Sequence, residues 1–477
     1  MILVPTLKVV SFFSKEGKLF TYGKFKAKSG PRVLYKLNNL KTLENCMISE
    51  NDYVDTNSNW TKPLVSSKKT AKNKLIRELN RAGNSLLKTI PFPSKEEESY
   101  RFISLDKLFQ MGFQENSTLS EKKIPNQLNI NNNDVWLYFV NGIYSNNFSS
   151  ADKLPKDFYF GSFSDLSDSK QKNILDISNK GESGINGGFF SALNAACLED
   201  IIVLLIPESV QFKQNINIVF EGQGLCDNFY LNQKLVIISS KNSVSRIVQY
   251  HIGTSNSKYF DNTTTSIILN ENSKMEYSFI NQVPESASQI TSIHVEIQKN
   301  AHFEFSSAAL GGFLSRTNLG IDINGINSSA KLKGISLANK NRIVDIHSRI
   351  SHNYPECFSS QLHKNLVSEK GHAIFAGKIQ VHSGSFNTES EQLCKTLLLS
   401  STSRIDAMPI LEINNDNVKC THGATVSDLD KNQIFYFLSR GISIEIARKL
   451  LTSGFIKDVI DFFPDSFEKI FFPTIES

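Results

Sequence analysis

Between Asn242 and Ala330 this chain repeats itself at a nearly constant interval. Asn242-Ser243, Asn272-Ser273, Asn300-Ala301 and Ser329-Ala330 each open a strand of alternating apolar residues, at spacings of 30, 28 and 29. A period in this range marks a solenoid, whose coils bury their apolar edges only by stacking on one another. Each repeat holds β-type runs and turns but no helical periodicity, so the expected architecture is a parallel β-helix. A small polar residue opening each repeat suits a tight corner. Phe279, Phe303, Phe305 and Phe313 are expected to stack inside the coils, and the chain's 34 phenylalanines read as core rather than as a base-stacking platform. A β-sandwich is the rival, but it does not predict a period near 29 residues.

Helical segments flank this core. Leu75, Ile76, Leu79, Ala82 and Leu86 fall on one helical face, closed by Pro91 and Pro93. Val135–Val140 reads as a strand, and Asn141-Gly142 after it as a tight turn. The polar stretches 51–68 and 161–187 read as linker and surface loops. Past Val426, Ser427 and Asp428 are cap-type residues for a helix over 428–440 with Leu429, Ile434, Phe435 and Leu438 on its face. Gly441 ends it, and Ser443 caps a second helix, 443–462, on which Ala447, Leu450, Leu451, Gly454, Phe455 and Phe462 share a face. The expected divisions are a basic leader over 1–60, an N-terminal helical region over 61–125, and a strand-and-loop connection over 126–190. The β-helix core then spans 191–426 and a C-terminal helical domain 427–477.

Charge and composition exclude several classes. Of the net +5, residues 1–41 carry nine Lys/Arg against Glu16 alone, or +8, which leaves the remainder at −3. A basic leader on a mildly acidic body is not the basic stripe of a nucleic-acid binder. No apolar run approaches the roughly 20 residues of a membrane-spanning helix. The leader is lysine-rich and poor in acids, as transit peptides are, and a short basic β-hairpin is its alternative. A targeting role would place the protein in a plastid, apicoplast or chloroplast stroma; otherwise a bacterial cytoplasm is expected. Six scattered cysteines form neither a disulfide framework nor paired zinc-ligand spacings.

No catalytic motif was found. The loop Gly181-Glu182-Ser183-Gly184 continues to Gly188 without the Lys-Ser/Thr of a phosphate-binding loop, so no nucleotide is expected to bind here. A polysaccharide-cleaving β-helix would need convergent carboxylates, where the repeats carry Lys, Asn and Ser. One constellation carries chemistry. Cys420 and His422 stand two apart in a strand-like stretch and so share a face, where thiolate and imidazole can bind iron, zinc or a cluster edge. Two donors do not complete a site, and from these residues alone a strand with a buried thiol and a capping histidine is the favoured reading.

The same residues carry a family resemblance. Cys420-Thr421-His422-Gly423-Ala424-Thr425-Val426 is similar to the CSHGATV signature of the SufD branch of the SufB/SufD family, and Ile434–Ile442 looks like its IFYLRSRGI segment. Ser359–Lys364 and Gly371–Ile379 resemble further family strands, and looser likeness extends over about 70–463. The SufB branch reads HEATTS where His422–Ser427 stand here. Tyr100 replaces the usual Trp, Thr421 a Ser, and Asn414–Asn417 the usual YADD.

The resemblance implies a right-handed parallel β-helix flanked by helices, and a non-catalytic scaffold subunit for iron–sulfur cluster assembly. It implies a SufB partner joined near the C-terminal end of the β-helix, and a SufC ATPase docked on the C-terminal helices, where Phe435, Tyr436, Arg440 and Gly441 lie. It places His422, with Cys420 as the second candidate, at an interface where a transient iron or iron–sulfur cluster is shared with SufB. The alternative is a SufB-like subunit that itself holds the nascent cluster, for which Cys226, Cys357 and Cys394 are the solenoid candidates.

Overall fold

The computed structural model describes residues 8–13, 19–24, 34–37, 60–65, 71–113, 128, 131–185, 187–224, 228–253, 258–464, 467–469 and 471. The chain divides into two compact units, Met1–Asn59 and Trp60–Ser477. In the first, Lys8–Phe13, Leu19–Lys24 and Leu34–Leu37 pair antiparallel, which includes the hairpin that the leader's sequence allowed.

The second unit is the expected parallel solenoid. From Gln211 to Asp428 successive strands alternate between a ten-stranded and a nine-stranded sheet, and within each sheet every strand pairs in parallel with the one two places on. One coil is therefore two strands, and side chains alternate between the lumen and the outer faces. The lumen near the first coils is filled by Ile218, Phe220, Leu235, Ile267, Phe279, Ile293, Phe303 and Phe305. Phe313 departs from expectation: it lies half-buried among the residues outside the nine-stranded sheet, with the Lys107 ammonium 3.8 Å from its ring centre. It precedes the strand Leu314–Ile323, so the corner and not the strand alternation sets its direction.

The period has a physical cause at one corner. Asn242, Asn272, Asn300 and Asn327 all adopt left-handed backbone conformations, which asparagine tolerates better than most side-chain-bearing residues. Their amides form a ladder from coil to coil, at 2.9, 3.0 and 3.1 Å, with spacings of 30, 28 and 27. The fourth corner is thus Asn327-Ser328, not Ser329-Ala330; the latter pair already belongs to the strand Ser329–Ala338.

Helices cover both outer faces. The helix Ile444–Ile460 lays Ile456, Val459 and Ile460 on the ten-stranded sheet against Ile335, Leu337 and Leu366. Lys364 Nζ bonds Asp458 Oδ1 at 2.5 Å, and Lys333 Nζ donates to Asp458 O at 2.8 Å. Leu450 and Gly454, expected on the packed face, are exposed, because residues 444–451 are apolar on more than one side and the sheet covers only one. The preceding helix is Lys431–Ser439, capped by Asp430 rather than by Ser427 or Asp428, which end the last strand. None of its residues is fully buried.

On the nine-stranded sheet lie Asp168–Ser178, within the expected loop region, and Phe189–Ala196. The expected linker contains a helical turn at 60–65, held where Trp60 packs on Phe92, Phe109 and Phe113 and donates its Nε1–H to Leu108 O at 3.2 Å. Lys74–Leu87 buries Ile76, Leu79, Gly83 and Leu87, a face rotated from the expected one; Ala82 is exposed. Gly83 explains the rotation. A Cβ there would stand 2.6 Å from Ala196 N and 2.8 Å from Ala192 O, so the missing side chain lets two helices touch backbone to backbone. Helix propensity alone favours alanine over glycine by about 1 kcal/mol. Gly83→Ala is nevertheless expected to destabilise the fold by about 2–3 kcal/mol, read from the urea midpoint, because backbone atoms must move apart.

Candidate functional site: the open end of the solenoid

Among the described residues nothing pairs with the last coil. Arg404–Ile413 ends the nine-stranded sheet and Val418–Asp428 ends the ten-stranded one, each with one hydrogen-bonding edge unpaired by any described strand. Their register fixes which side chains face the lumen. Cys420, His422 and Ala424 stand beside Ser390, Gln392 and Cys394. Those three are 0%, 2% and 0% exposed inside the preceding coil. In a parallel in-register pair, adjacent residues share a face, so Cys420, His422 and Ala424 continue the lumen rows at its open mouth. His422 and Ala424 are exposed and Cys420 is half-buried. Across the mouth Ile405, Ala407, Pro409 and Leu411 continue the lumen-facing row of Ala373, Phe375, Gly377 and Ile379. Ile410, Ile413 and Val426 add exposed apolar surface on these two end strands.

The expectation that Cys420 and His422 share a face therefore holds in this geometry. The Cys420 thiol is pushed above its ordinary range by burial, against a backbone hydrogen bond from Ser390 that favours the thiolate. Among the described residues no group of three or more His, Cys, Asp or Glu side chains is placed to hold a metal ion. Cys420 and His422 are two donors at an open edge.

The three other solenoid candidates are differently placed. Cys357 is buried with its thiol on Gly325 O and Pro355 O, at 3.2 and 3.3 Å. Cys394 is buried in the lumen, where desolvation pushes its thiol up to about 11. Cys226 lies outside the described residues.

Phe435, Tyr436, Arg440 and Gly441 belong to a different surface, on the helix after the last strand and its terminal turn. Phe435 is 72% and Tyr436 58% exposed. The Arg440 guanidinium lies 5.3 Å from the Tyr436 ring centre. Gly441 takes φ +78°, which ends the helix as expected. This helix packs on Ile444–Ile460, whose Ile444, Ile446 and Leu450 are also exposed.

Three polar lumen rows behind the mouth escaped the sequence reading. Ser390 is bonded to Ser359 at 2.6 Å, and Ser359 to His352 Nε2 at 2.9 Å. Gln392 donates to Gln361 Oε1 at 2.9 Å. Cys394 accepts a 3.4 Å bond from Asn365, in register beside His363, whose Nε2 meets Ser336 Oγ at 2.8 Å. The signal was available in Ser359, Gln361, His363 and Asn365, which alternate through a strand where core residues were expected. Only the coil-to-coil register ties them to Cys420 and His422.

The solenoid thus ends, among the described residues, in a coil with one unpaired edge, along which the Cys420 thiol and the His422 imidazole stand. Residues 222–455 match the SufBD core domain of SUF-system FeS cluster assembly, and residues 48–218 match the SufBD protein N-terminal region. The chain is 28% identical to Protein ABCI7, chloroplastic, of Arabidopsis thaliana, over 82% of this chain and 83% of that protein. It is 27% identical to an iron-sulfur cluster assembly SufBD family protein of Synechocystis, over 80% of this chain and 85% of that one. It is 37% identical to Iron-sulfur cluster assembly protein SufD of Escherichia coli, over 32% of this chain and 37% of that protein. The chain belongs to the SufBD family of iron–sulfur cluster assembly proteins, as its motifs at 359–379 and 420–442 implied.

Proposed function

We propose that this chain is a SufD-type scaffold subunit, which works with a SufB-type partner and a SufC-type ATPase and itself binds no nucleotide. The observation that carries the reading is the open last coil, with His422 exposed beside half-buried Cys420 on an unpaired edge. An imidazole can offer iron a neutral nitrogen at physiological pH, but two donors leave iron under-coordinated. The cluster is therefore cargo held jointly: His422, with Cys420 as an accessory, faces ligands supplied by a SufB-type chain apposed to the end strands. The exposed apolar helices around Phe435 and Tyr436 are the docking surface for the ATPase. The basic leader, together with the chloroplastic relative, favours a plastid.

The SufB-like alternative, in which this chain holds the nascent cluster alone, is less well supported. It needs accessible thiolates along the solenoid, whereas Cys357 and Cys394 are buried with their thiols pushed up by desolvation.

His422→Ala is expected to leave folding and partner association intact and to lower cluster loading of the reconstituted complex on the order of tenfold or more; losing even an outer partner of a ligand costs about 10–100-fold. Cys420→Ser is expected to have a smaller effect. Iron content and cluster absorbance after anaerobic reconstitution measure both. Normal loading by the His422→Ala complex would remove the ligand role, and stable loading of this chain alone would favour the SufB-like reading.

A further inference from the structure

We propose that Gln392 is the positioning residue for His422: the structure holds the two side chains in adjacent rows without a hydrogen bond between them, and a turn of the His422 ring brings its Nδ1–H onto the Gln392 side-chain carbonyl oxygen and leaves Nε2 free at the mouth of the solenoid. The inference deepens the proposed role of His422 and rests on it only for what the free nitrogen then binds.

Three observations converge on Gln392. It is the in-register neighbour of His422 on the same face of the sheet. Facing side chains on adjacent parallel strands lie about 5 Å apart at their base, within reach of one hydrogen bond between a glutamine and a histidine. Second, its amide cannot rotate freely. Nε2 donates to Gln361 Oε1 at 2.9 Å, and the Gln361 amide is itself fixed by Ser348, through bonds of 2.9 and 3.0 Å. With Nε2 committed to the preceding coil, Oε1 is the amide atom left to accept a hydrogen bond from the last one. Third, that oxygen is buried and has no hydrogen-bond partner among the described residues. A buried acceptor left without a donor costs about 1–3 kcal/mol, and a free ring N–H in the adjacent row relieves that cost.

Space for this arrangement is provided on the facing sheet. A Cβ at Gly377 would stand 2.3 Å from Gln392 Nε2, so glycine there lets the amide extend across the lumen. A histidine used as a ligand needs its other nitrogen held, since that bond sets the tautomer and the ring direction. In any histidine Nδ1 is bonded to the carbon next to Cβ and Nε2 is one atom farther out, so Nδ1 is the nitrogen that a neighbour in the next coil reaches while Nε2 is left for the ligand role.

The test reads the tautomer directly in the metal-free full-length chain. With ¹⁵N-labelled histidine at pH 8.5, two-bond nitrogen–proton spectra, with His422 assigned by its loss in His422→Ala, are expected to show the Nδ1–H form in excess. Gln392→Leu is expected to return it to the mixture of a free imidazole, in which the Nε2–H form predominates. Gln392→Glu restores an acceptor but not the donor to Gln361, so it should recover the Nδ1–H form. Equal loss in both variants would mean that Gln392 only supports the amide ladder, and an Nε2–H form in the unsubstituted chain would overturn the proposal outright. In the reconstituted complex Gln392→Leu is expected to lower cluster loading about tenfold, as the loss of an outer partner of a ligand does. Unchanged loading alongside a changed tautomer would overturn the ligand role of His422 while leaving the positioning contact standing.

Discussion

Lowering the pH from 7 to 5 is expected to cost this fold about 4 kcal/mol, most of it from two histidines in the solenoid lumen. His352 and His363 are buried and neutral, and desolvation pushes their pKa values down to about 4 and about 3. In the unfolded chain each titrates near 6.5. A base whose folded pKa is depressed is protonated first in the unfolded state, so the stability is intact above about pH 6.5 and falls as pH drops below it. The slope is about 1.4 kcal/mol per pH unit for each histidine until its folded pKa is reached, or about 2 kcal/mol each by pH 5.

Two carboxylates also shape the curve. Glu221, raised by burial, works in the opposite direction as the pH falls. Burial also opposes ionisation of Glu182, but hydrogen bonds from His294 and Arg349 outweigh it and hold that carboxyl down to about 2. Its contribution is present above about pH 4.5 and is lost below, so it does not obscure the window from 6.5 to 5. Urea midpoints at pH 7, 6 and 5 are the measurement, with the His352→Gln/His363→Gln double variant expected to be much flatter. A profile equally steep with and without the two histidines would refute this account.

The second large effect is expected at the C-terminal helices. Phe435→Asp combined with Ile446→Asp should weaken capture of a SufC-type ATPase by about a hundredfold or more, with the melting temperature unchanged. Buried aromatic and aliphatic anchors at interface centres are worth about 2–4 kcal/mol each, and 1.4 kcal/mol is a factor of ten in affinity. Both side chains are more than half exposed in the chain alone, at 72% and 53%, so a charge there disturbs no internal packing. Deleting residues 428–477 is the weaker test. It would also remove Ile456, Val459 and Ile460 from the outer face of the ten-stranded sheet, and lost binding could then reflect lost folding. Titration of the purified ATPase against the full-length variant decides the matter, and unaltered affinity would move the docking surface elsewhere.

The period of the solenoid was legible in the sequence because its cause is local. Asparagine tolerates the left-handed backbone that each corner requires, and its amide stacks on the next one, so the same residue recurs at the same place. Val135–Val140 and the Asn141-Gly142 turn were legible for the same reason: a short run of β-branched and aromatic residues and a positive φ are properties of a few neighbouring residues. Cys420 and His422 could be placed on one face from a two-residue offset alone.

Which helix faces would be buried was not legible. Lys74–Leu87 turns toward Phe189–Ala196 because Gly83 permits backbone contact with a segment more than a hundred residues away. Along Ile444–Ile460, apolar residues on several sides left the choice to the sheet, which covers only one. The lumen rows behind the mouth were equally hidden, since Gln392 becomes the neighbour of His422 only through the register of two coils. Local backbone preference thus set the repeat and the donor pair, whereas the open end that makes the pair available was decided by stacking order, which among the described residues places no further coil beyond Val418–Asp428.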